Sequence, residues 1–156
     1  MRLRNGTAHR GLRGQLQDEE GSALLETALS LVVTFLLAFG LFELCMFTYT
    51  CIVLNDAAQE GARYAIMHGT DSTACSGPDT GCTDQTYANI KTVIKNAASA
   101  SLHDTSAMTI TVTYADSTAK PGHPVLVKLS YTYVPILNFP GLKRTMSFKS
   151  QGRVIF

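Results

Sequence analysis

Nowhere in this 156-residue chain do lysines and arginines gather into runs, and the formal net charge is only +1. A basic stripe is the electrostatic footprint of a nucleic-acid binder, so DNA and RNA drop out as partners. Paired carboxylates of the kind used in acid–base catalysis are missing from the strand-like part of the chain. The histidines stand apart: His9 lies in the N-terminal segment, and His68, His103 and His123 fall at expected element ends and turns. Histidines so placed are solvated and make poor candidates for a catalytic base. Serine, histidine and aspartate occur, but no nucleophile elbow or other ordered motif holds them. Gly11-Leu12-Arg13-Gly14 lacks the strand–helix context of a phosphate cradle. Internal repeats and low-complexity tracts are absent as well. An enzyme is therefore the poorer reading, and no metal or cofactor is expected.

What the chain does have is a long apolar stretch, Gly21 to Leu54, interrupted only by Glu26 and Glu43. It is too long for the core of a secretory signal, which spans about 7–15 residues. The uncharged residues 27–42 alone make roughly 24 Å of helix at about 1.5 Å each. Adding Ser22–Leu25 on one side, or Leu44–Leu54 on the other, reaches the roughly 20 residues that span a bilayer. Either choice leaves a carboxylate buried or at an interface. The chain is read as a single-pass membrane protein, with the lipid bilayer as its first partner. Arg2, Arg4, Arg10 and Arg13 precede the stretch, whereas only Arg63 follows it closely, beside Asp56 and Glu60. By the positive-inside rule the N-terminus is cytoplasmic and the C-terminal hundred or so residues lie outside.

Residues 1–21 show no apolar periodicity and read as an irregular cytoplasmic leader. A helix is expected from Ser22 to about His68, running past the membrane without a break. Beyond the bilayer, Ala57, Ala58, Gly61, Ala62 and Ala65 form a narrow face of small side chains at helical spacing, which lets a helix or sheet approach closely. Glu60 and Arg63 can pair on the wet side, and Gly69 suits a helix C-cap.

A turn-rich loop follows, with Cys75 and Cys82 flanking Ser-Gly-Pro-Asp-Thr-Gly. On an oxidising outer side a disulfide would close it; a C-x6-C pair without nearby partners suits zinc poorly. Cys45 and Cys51 lie on different helix faces and read as small buried apolar residues. A second helix is expected from a cap at Thr83 or Asp84 to about Leu102, burying Tyr87, Ile90, Val93, Ile94, Ala97, Ala98 and Leu102.

The period then changes to two. Met108, Ile110, Val112 and Tyr114 alternate with polar residues, as do Val125, Val127, Leu129, Tyr131 and Tyr133. A third run, Met146 and Phe148 then Val154 and Phe156, is interrupted at Gln151-Gly152, which suggests a bulge. Lys120-Pro-Gly-His-Pro124 and Asn138-Phe-Pro-Gly141 carry turn chemistry. The outer part, 69–156, is thus expected to be a small α+β domain. One helix would pack on a three-stranded antiparallel meander, with the outer half of the 22–68 helix as a further layer.

A charge inside a spanning segment costs about 2.5–3.5 kcal/mol on insertion scales, so both glutamates call for a reason. Glu26 either sits at the cytosolic headgroup level or has a sharper role. Proteolysis after Gly21, whose missing Cβ suits a protease site, would free an α-amino group on Ser22. A neighbouring subunit's ammonium could then neutralise Glu26 and set the register between subunits. Glu43 either lies at the outer membrane interface with its head in water, the favoured reading, or pairs with a neighbouring helix.

Three segments in order resemble one family, the TadE-like pseudopilins of the tight-adherence (Tad/Flp) type IV pilus system. Glu20-Gly21-Ser-Ala-Leu-Leu-Glu26 resembles its prepilin processing site. Phe39-Gly-Leu-Phe-Glu43 is similar to a phenylalanine-glycine…glutamate pattern inside the membrane run. Asn55-Asp-Ala-Ala-Gln-Glu-Gly-Ala-Arg-Tyr-Ala65 closely resembles the family's segment just past the membrane. The resemblance implies a pilin-like, non-enzymatic minor pilin with no cofactor. A prepilin peptidase would cut between Gly21 and Ser22, leaving Glu26 as the fifth residue. The implied partners are that peptidase, a related pseudopilin, the major Flp pilin and an inner-membrane assembly platform. The implied location is the bacterial inner membrane or the pilus itself. Thr27, where major pilins of the system tend to carry an aromatic residue, argues against the main filament subunit. Leu44-Cys45-Met46 stands where relatives often show a small or basic residue. Two other readings stay open: an uncleaved envelope protein whose outer domain binds a partner, and an outer-domain enzyme.

Overall fold

The computed structural model describes residues 8–136 and 143–156, with side chains from Gly21 onward. Along the chain come a long helix α1 (Ala8–Met67), a short helix α2 (Ala88–Ala98), and strands β1 (Thr109–Tyr114), β2 (Pro124–Tyr133) and β3 (Arg144–Arg153). The architecture is α+β, with the strands in an antiparallel sheet of order β1-β2-β3. Two compact units divide the chain, residues 1–42 and residues 43–156. The second unit, which we call the head, therefore begins inside α1 at Glu43.

The irregular leader expected over residues 1–21 is corrected in its second part, because residues 8–21 belong to α1. Gln15, Leu16, Gln17, Glu19 and Glu20 are good helix formers. Extending a helix that already exists adds one hydrogen bond per residue without a new nucleation step. At the other end α1 stops at Met67, and its last carbonyls are taken by the head: Ile155 N–H donates to Ile66 O at 2.9 Å and Ser76 N–H to His68 O at 2.9 Å.

Gly69 does not act as a left-handed cap; Gly122 is the glycine with positive φ among the described residues. Its smallness is needed for another reason. A β-carbon at Gly69 would overlap the backbone oxygens of Phe156 and Ala119 and the side chain of Val154.

In the head, α1 and α2 cover one face of the sheet. Leu54, Ala57, Ala58, Ala62 and Ala65 from α1 meet Ile90, Ile94 and Ala98 from α2 and Val125, Val127, Leu129 and Val112 from the strands. The small face of α1 sets how near the layers come. A β-carbon on Gly61 would overlap Ile94, and Val127 lies just beyond.

Helix α2 is shorter than expected at both ends. Tyr87 takes a left-handed conformation (φ 60°) that breaks the helix before Ala88. Beyond Ala98 the chain turns away and leaves Leu102 73% exposed, so the periodicity that suggested a longer helix has no core to face.

The expected bulge at Gln151-Gly152 is also corrected. Pairing of β2 with β3 is one-to-one from Pro124↔Arg153 to Tyr133↔Arg144, with Gln151 opposite Leu126 and Gly152 opposite Val125. Alternation carries on through Phe148, Ser150, Gly152 and Val154. Gly152 takes an inward position without a side chain because Ile66 of α1 fills the space its β-carbon would occupy. The expected turn at 138–141 lies outside the described residues.

Candidate functional site

Three places in the molecule hold the residues singled out by the sequence. In the first unit, Gly21, Ser22 and Glu26 are exposed on α1, and nothing lies within 4 Å of where a Gly21 β-carbon would stand. Around them Leu24, Leu25, Leu29, Phe35 and Leu37 are half or more exposed. Among the described residues Glu26 has no ion-pair partner within the chain. The helix from Gly21 is long and apolar enough to cross a membrane.

The small face of Ala57, Ala58, Gly61, Ala62 and Ala65 is buried inside the head against α2 and the sheet. It is thus consumed by the protein's own fold. Glu60 and Arg63 approach to 3.8 Å on the exposed side; a solvated pair of this kind contributes little to stability.

Glu43 is the more informative place. Its carboxylate is held by residues of the head. Tyr133 Oη donates to Glu43 Oε1, and Ile136 N–H donates to the same oxygen at 3.3 Å. Glu43 Oε2 is shielded from solvent and has no partner among the described residues. Burial, followed by the hydrogen bond and charge of Glu43, pushes the Tyr133 phenol well above the ordinary tyrosine range. Tyr133 therefore keeps its proton and stays a donor at physiological pH.

A small polar cluster surrounds this bond. Phe47 meets Tyr133 edge to face, with ring centroids 5.2 Å apart, and His103 packs on Tyr133 at 4.7 Å. His103 Nδ1 lies 3.3 Å from Thr50 Oγ1, while Thr50 donates its own proton to Met46 O at 2.9 Å. Thr50 has a single proton to give, so in the neutral ring Nδ1 carries the hydrogen toward it. Nε2 is then a buried acceptor without a donor among the described residues. The expectation of a solvated His103 is thereby corrected, since the turn after α2 folds it under the sheet.

The helix cysteines part company. Cys51 is half-buried with its thiol 3.1 Å from Met146 Sδ, but Cys45 is exposed rather than buried. Glu43, Met46, Phe47, Thr50 and Leu54 form the stripe of α1 that meets the head, and Cys45 stands off it.

The third place is the loop after α1, where a disulfide joins Cys75 and Cys82 across a Cα separation of 4.7 Å. Beside it Asp84 gathers five hydrogen bonds. Ser76 Oγ donates to it at 2.7 Å, Asn89 N–H at 2.9 Å, Ala88 N–H and Thr86 Oγ1 at 3.0 Å, and Thr86 N–H at 3.2 Å. Asp84 was one of two expected caps for α2, and it does satisfy the first helix amides, reaching past the left-handed Tyr87. Burial pushes its carboxyl up, but the donors from Ser76, Asn89, Ala88 and Thr86 outweigh this and hold it far below the usual carboxylate range. Asp79 likewise binds Ala119 N–H at 2.6 Å and Thr118 Oγ1 at 3.0 Å. These carboxylates tie loops together.

An open cavity of about 480 Å³ lies over the sheet between Thr113, Pro124, Leu126, Gln151 and Arg153. Arg153 is the one charged residue in its lining, so the cavity holds no acid–base pair. No group of three or more histidine, cysteine, aspartate or glutamate side chains able to hold a metal occurs among the described residues. Sequence reasoning missed Thr50, His103 and Tyr133 as companions of Glu43. Local spacing along α1 offered no signal for them, because their meeting depends on long-range packing.

Comparison with known families gives one result that coincides with this geometry. The family model described as TadE-like protein matches residues 21–63. That span begins at the exposed glycine, includes Glu26 and Glu43, and ends within the small-residue face. No curated protein and no solved structure matches the chain.

Proposed function

The chain is TadE-like over residues 21–63, which links it to tight-adherence pilus systems, and from this premise we propose that it acts as a minor pilin. In this reading the protein has no catalytic activity. A prepilin peptidase removes residues 1–21 at the cytoplasmic face of the inner membrane. The mature protein, beginning at Ser22, stands with its head outside and primes or regulates assembly of the major-pilin filament together with a related pseudopilin.

The observation that carries the proposal is the conjunction of the matched segment with an exposed Gly21 and an exposed Glu26 on one apolar helix. An unpaired carboxylate in hydrocarbon is costly, and a neighbouring subunit's free α-amino group removes that cost at only one axial offset. Cleavage after Gly21 both creates the amino group and brings it within a turn or so of the acid. The buried small face supports a further point: lateral contacts in an assembly would use other surfaces of α1, since this one is occupied by the head.

The test is the N-terminal sequence and intact mass of the protein isolated from its native membrane. A start at Ser22, with the mass short by residues 1–21, is expected. A protein that retains those residues would overturn processing and favour an uncleaved anchor whose head binds a partner.

A further inference from the structure

Beside Glu43 the head carries exposed apolar side chains that the fold does not use. Val134 is 42% exposed and Ile136 57%, directly after β2. Apolar residues in a connecting loop normally turn inward or are replaced by polar ones. Here they are held outward, and Glu43 determines where. Ile136 N–H and Tyr133 Oη both bind the Glu43 carboxylate, so the strand end is clamped to α1 at that residue. Phe42, the last residue of the exposed apolar unit, is Glu43's immediate neighbour, about 1.5 Å lower in helical rise.

Where the bilayer ends along α1 follows from the helix surface. Past Glu43, which faces the head, the outward side chains remain uncharged: Leu44 is 60% exposed and Ile52 55%, with Tyr49 at 41% between them. The next exposed charge is Asp56. A hydrocarbon boundary placed anywhere from Glu43 to Asp56 leaves the strand end clamped at Glu43 level with the lipid or within it. Residues 22–42 supply about 32 Å of helix, matching a hydrocarbon core of about 30 Å, which puts the boundary near Glu43 itself. Tyr49, whose hydroxyl donates to Ala100 O at 2.9 Å, is then in the headgroup layer, where amphipathic aromatic rings concentrate. Lys143 and Arg144 are exposed at the same end of the sheet, Arg144 standing opposite Tyr133 in the ladder. Long basic side chains can rest their stems on the apolar boundary and carry their charge to lipid phosphates.

We propose that the head is seated on the outer surface of the bilayer by Val134 and Ile136, with Lys143 and Arg144 bound to anionic lipid headgroups. The occupant of this apolar patch is lipid, because the outward side chains of α1 just past the clamp, Leu44 and Ile52, are themselves exposed and apolar. The seat gives the Glu43–Tyr133 bond a purpose. It keeps the Glu43 carboxylate under protein cover, where an open carboxylate would repel the anionic surface. The seat also fixes the height of the head above the membrane, the coordinate that matters if the helix must later be lifted from the bilayer. The proposal rests on the membrane-anchored reading of residues 22–42.

The chain contains no tryptophan, so single tryptophans report their surroundings without background. Full-length Ile136→Trp, Val134→Trp, Phe39→Trp and Lys120→Trp would each be reconstituted in phosphatidylethanolamine–phosphatidylglycerol vesicles. Quenching would be read with phospholipids brominated in the upper acyl chain. Lys120 lies in the connector at the far end of β2, ten residues of strand away from Tyr133. The expected order is strong quenching at Phe39, clear quenching several-fold above the Lys120 background at Ile136 and Val134, and weaker quenching of both when Lys143 and Arg144 are changed to glutamine. Quenching at Phe39 with none at Ile136 or Val134 would overturn the seat and leave the anchor intact. A blue-shifted but unquenched Ile136→Trp would also overturn it, because a protein surface would then cover the patch. Absence of quenching at Phe39 as well would overturn the anchor and the seat together.

Discussion

Tyr133, at the end of β2, donates its phenolic proton to Glu43, ninety residues earlier in the middle of α1. This bond ties the end of β2 to the head's own stretch of α1. With Ile136 N–H on the same oxygen, Glu43 is the first residue of α1 that the head grips, and the head's boundary at residue 43 coincides with it. A glutamate expected from the sequence at a membrane interface is therefore also a structural anchor of the head.

Tyr133→Phe should destabilise the head by about 1–3 kcal/mol, the usual cost of leaving a shielded polar group without its donor. Glu43→Gln, which retains an acceptor oxygen for the tyrosine, should cost less. Thermal unfolding of the two variants in detergent would measure the difference. Equal stability of Tyr133→Phe and the parent would show that the bond contributes nothing.

Asp84 gives a pH dependence with a definite sign. Its folded carboxyl is held far below the ordinary value, so folding favours the ionised form. That contribution is complete above the unfolded pKa of about 3.9 and is lost as the pH falls below it toward the depressed folded value. Denaturant titrations should therefore show stability declining as the pH drops below about 4, and Asp84→Asn should flatten part of that decline while lowering stability at neutral pH by about 1–3 kcal/mol. An unchanged acid limb in the variant would remove Asp84 from the account.

Gly69 and Gly81 make a matched pair. A β-carbon on Gly69 would overlap two backbone oxygens, which cannot swing aside as a side chain can; on Gly81 it meets nothing within 4 Å. Gly69→Ala should cost at least the roughly 1–3 kcal/mol typical of overpacking, and Gly81→Ala should stay within about 0.5 kcal/mol of the parent. Comparison of their melting temperatures checks the packing of α1's end against the C-terminal strand.

Glu26→Gln addresses the proposed register. The variant should still be processed to begin at Ser22, because the scissile bond is untouched, but it should fail to co-purify with its pilin partners. Removing the charge removes the pairing with a neighbour's ammonium. Normal co-assembly of the processed variant would sink the charge-pairing idea while leaving cleavage standing.

The elements of this protein were legible before its tertiary structure because they rest on local patterning. A long apolar run broken only by Glu26 and Glu43 reads as a membrane-capable helix. Small residues at helical spacing can only be a close-packed face. Three alternating stretches separated by turn chemistry make an antiparallel meander. The TadE-like segment could be read for the same reason, since its residues follow one another along a single helix. Folding alone decided everything that joins residues distant in the chain. The loss of a bulge at Gly152 depends on Ile66, the shortening of α2 on where the core ends, and the position of His103 on Thr50 and Tyr133. Glu43 shows the limit most clearly. Its cost in an apolar run could be read from the sequence, but its partner could not, because a hydrogen bond across ninety residues leaves no trace in local spacing.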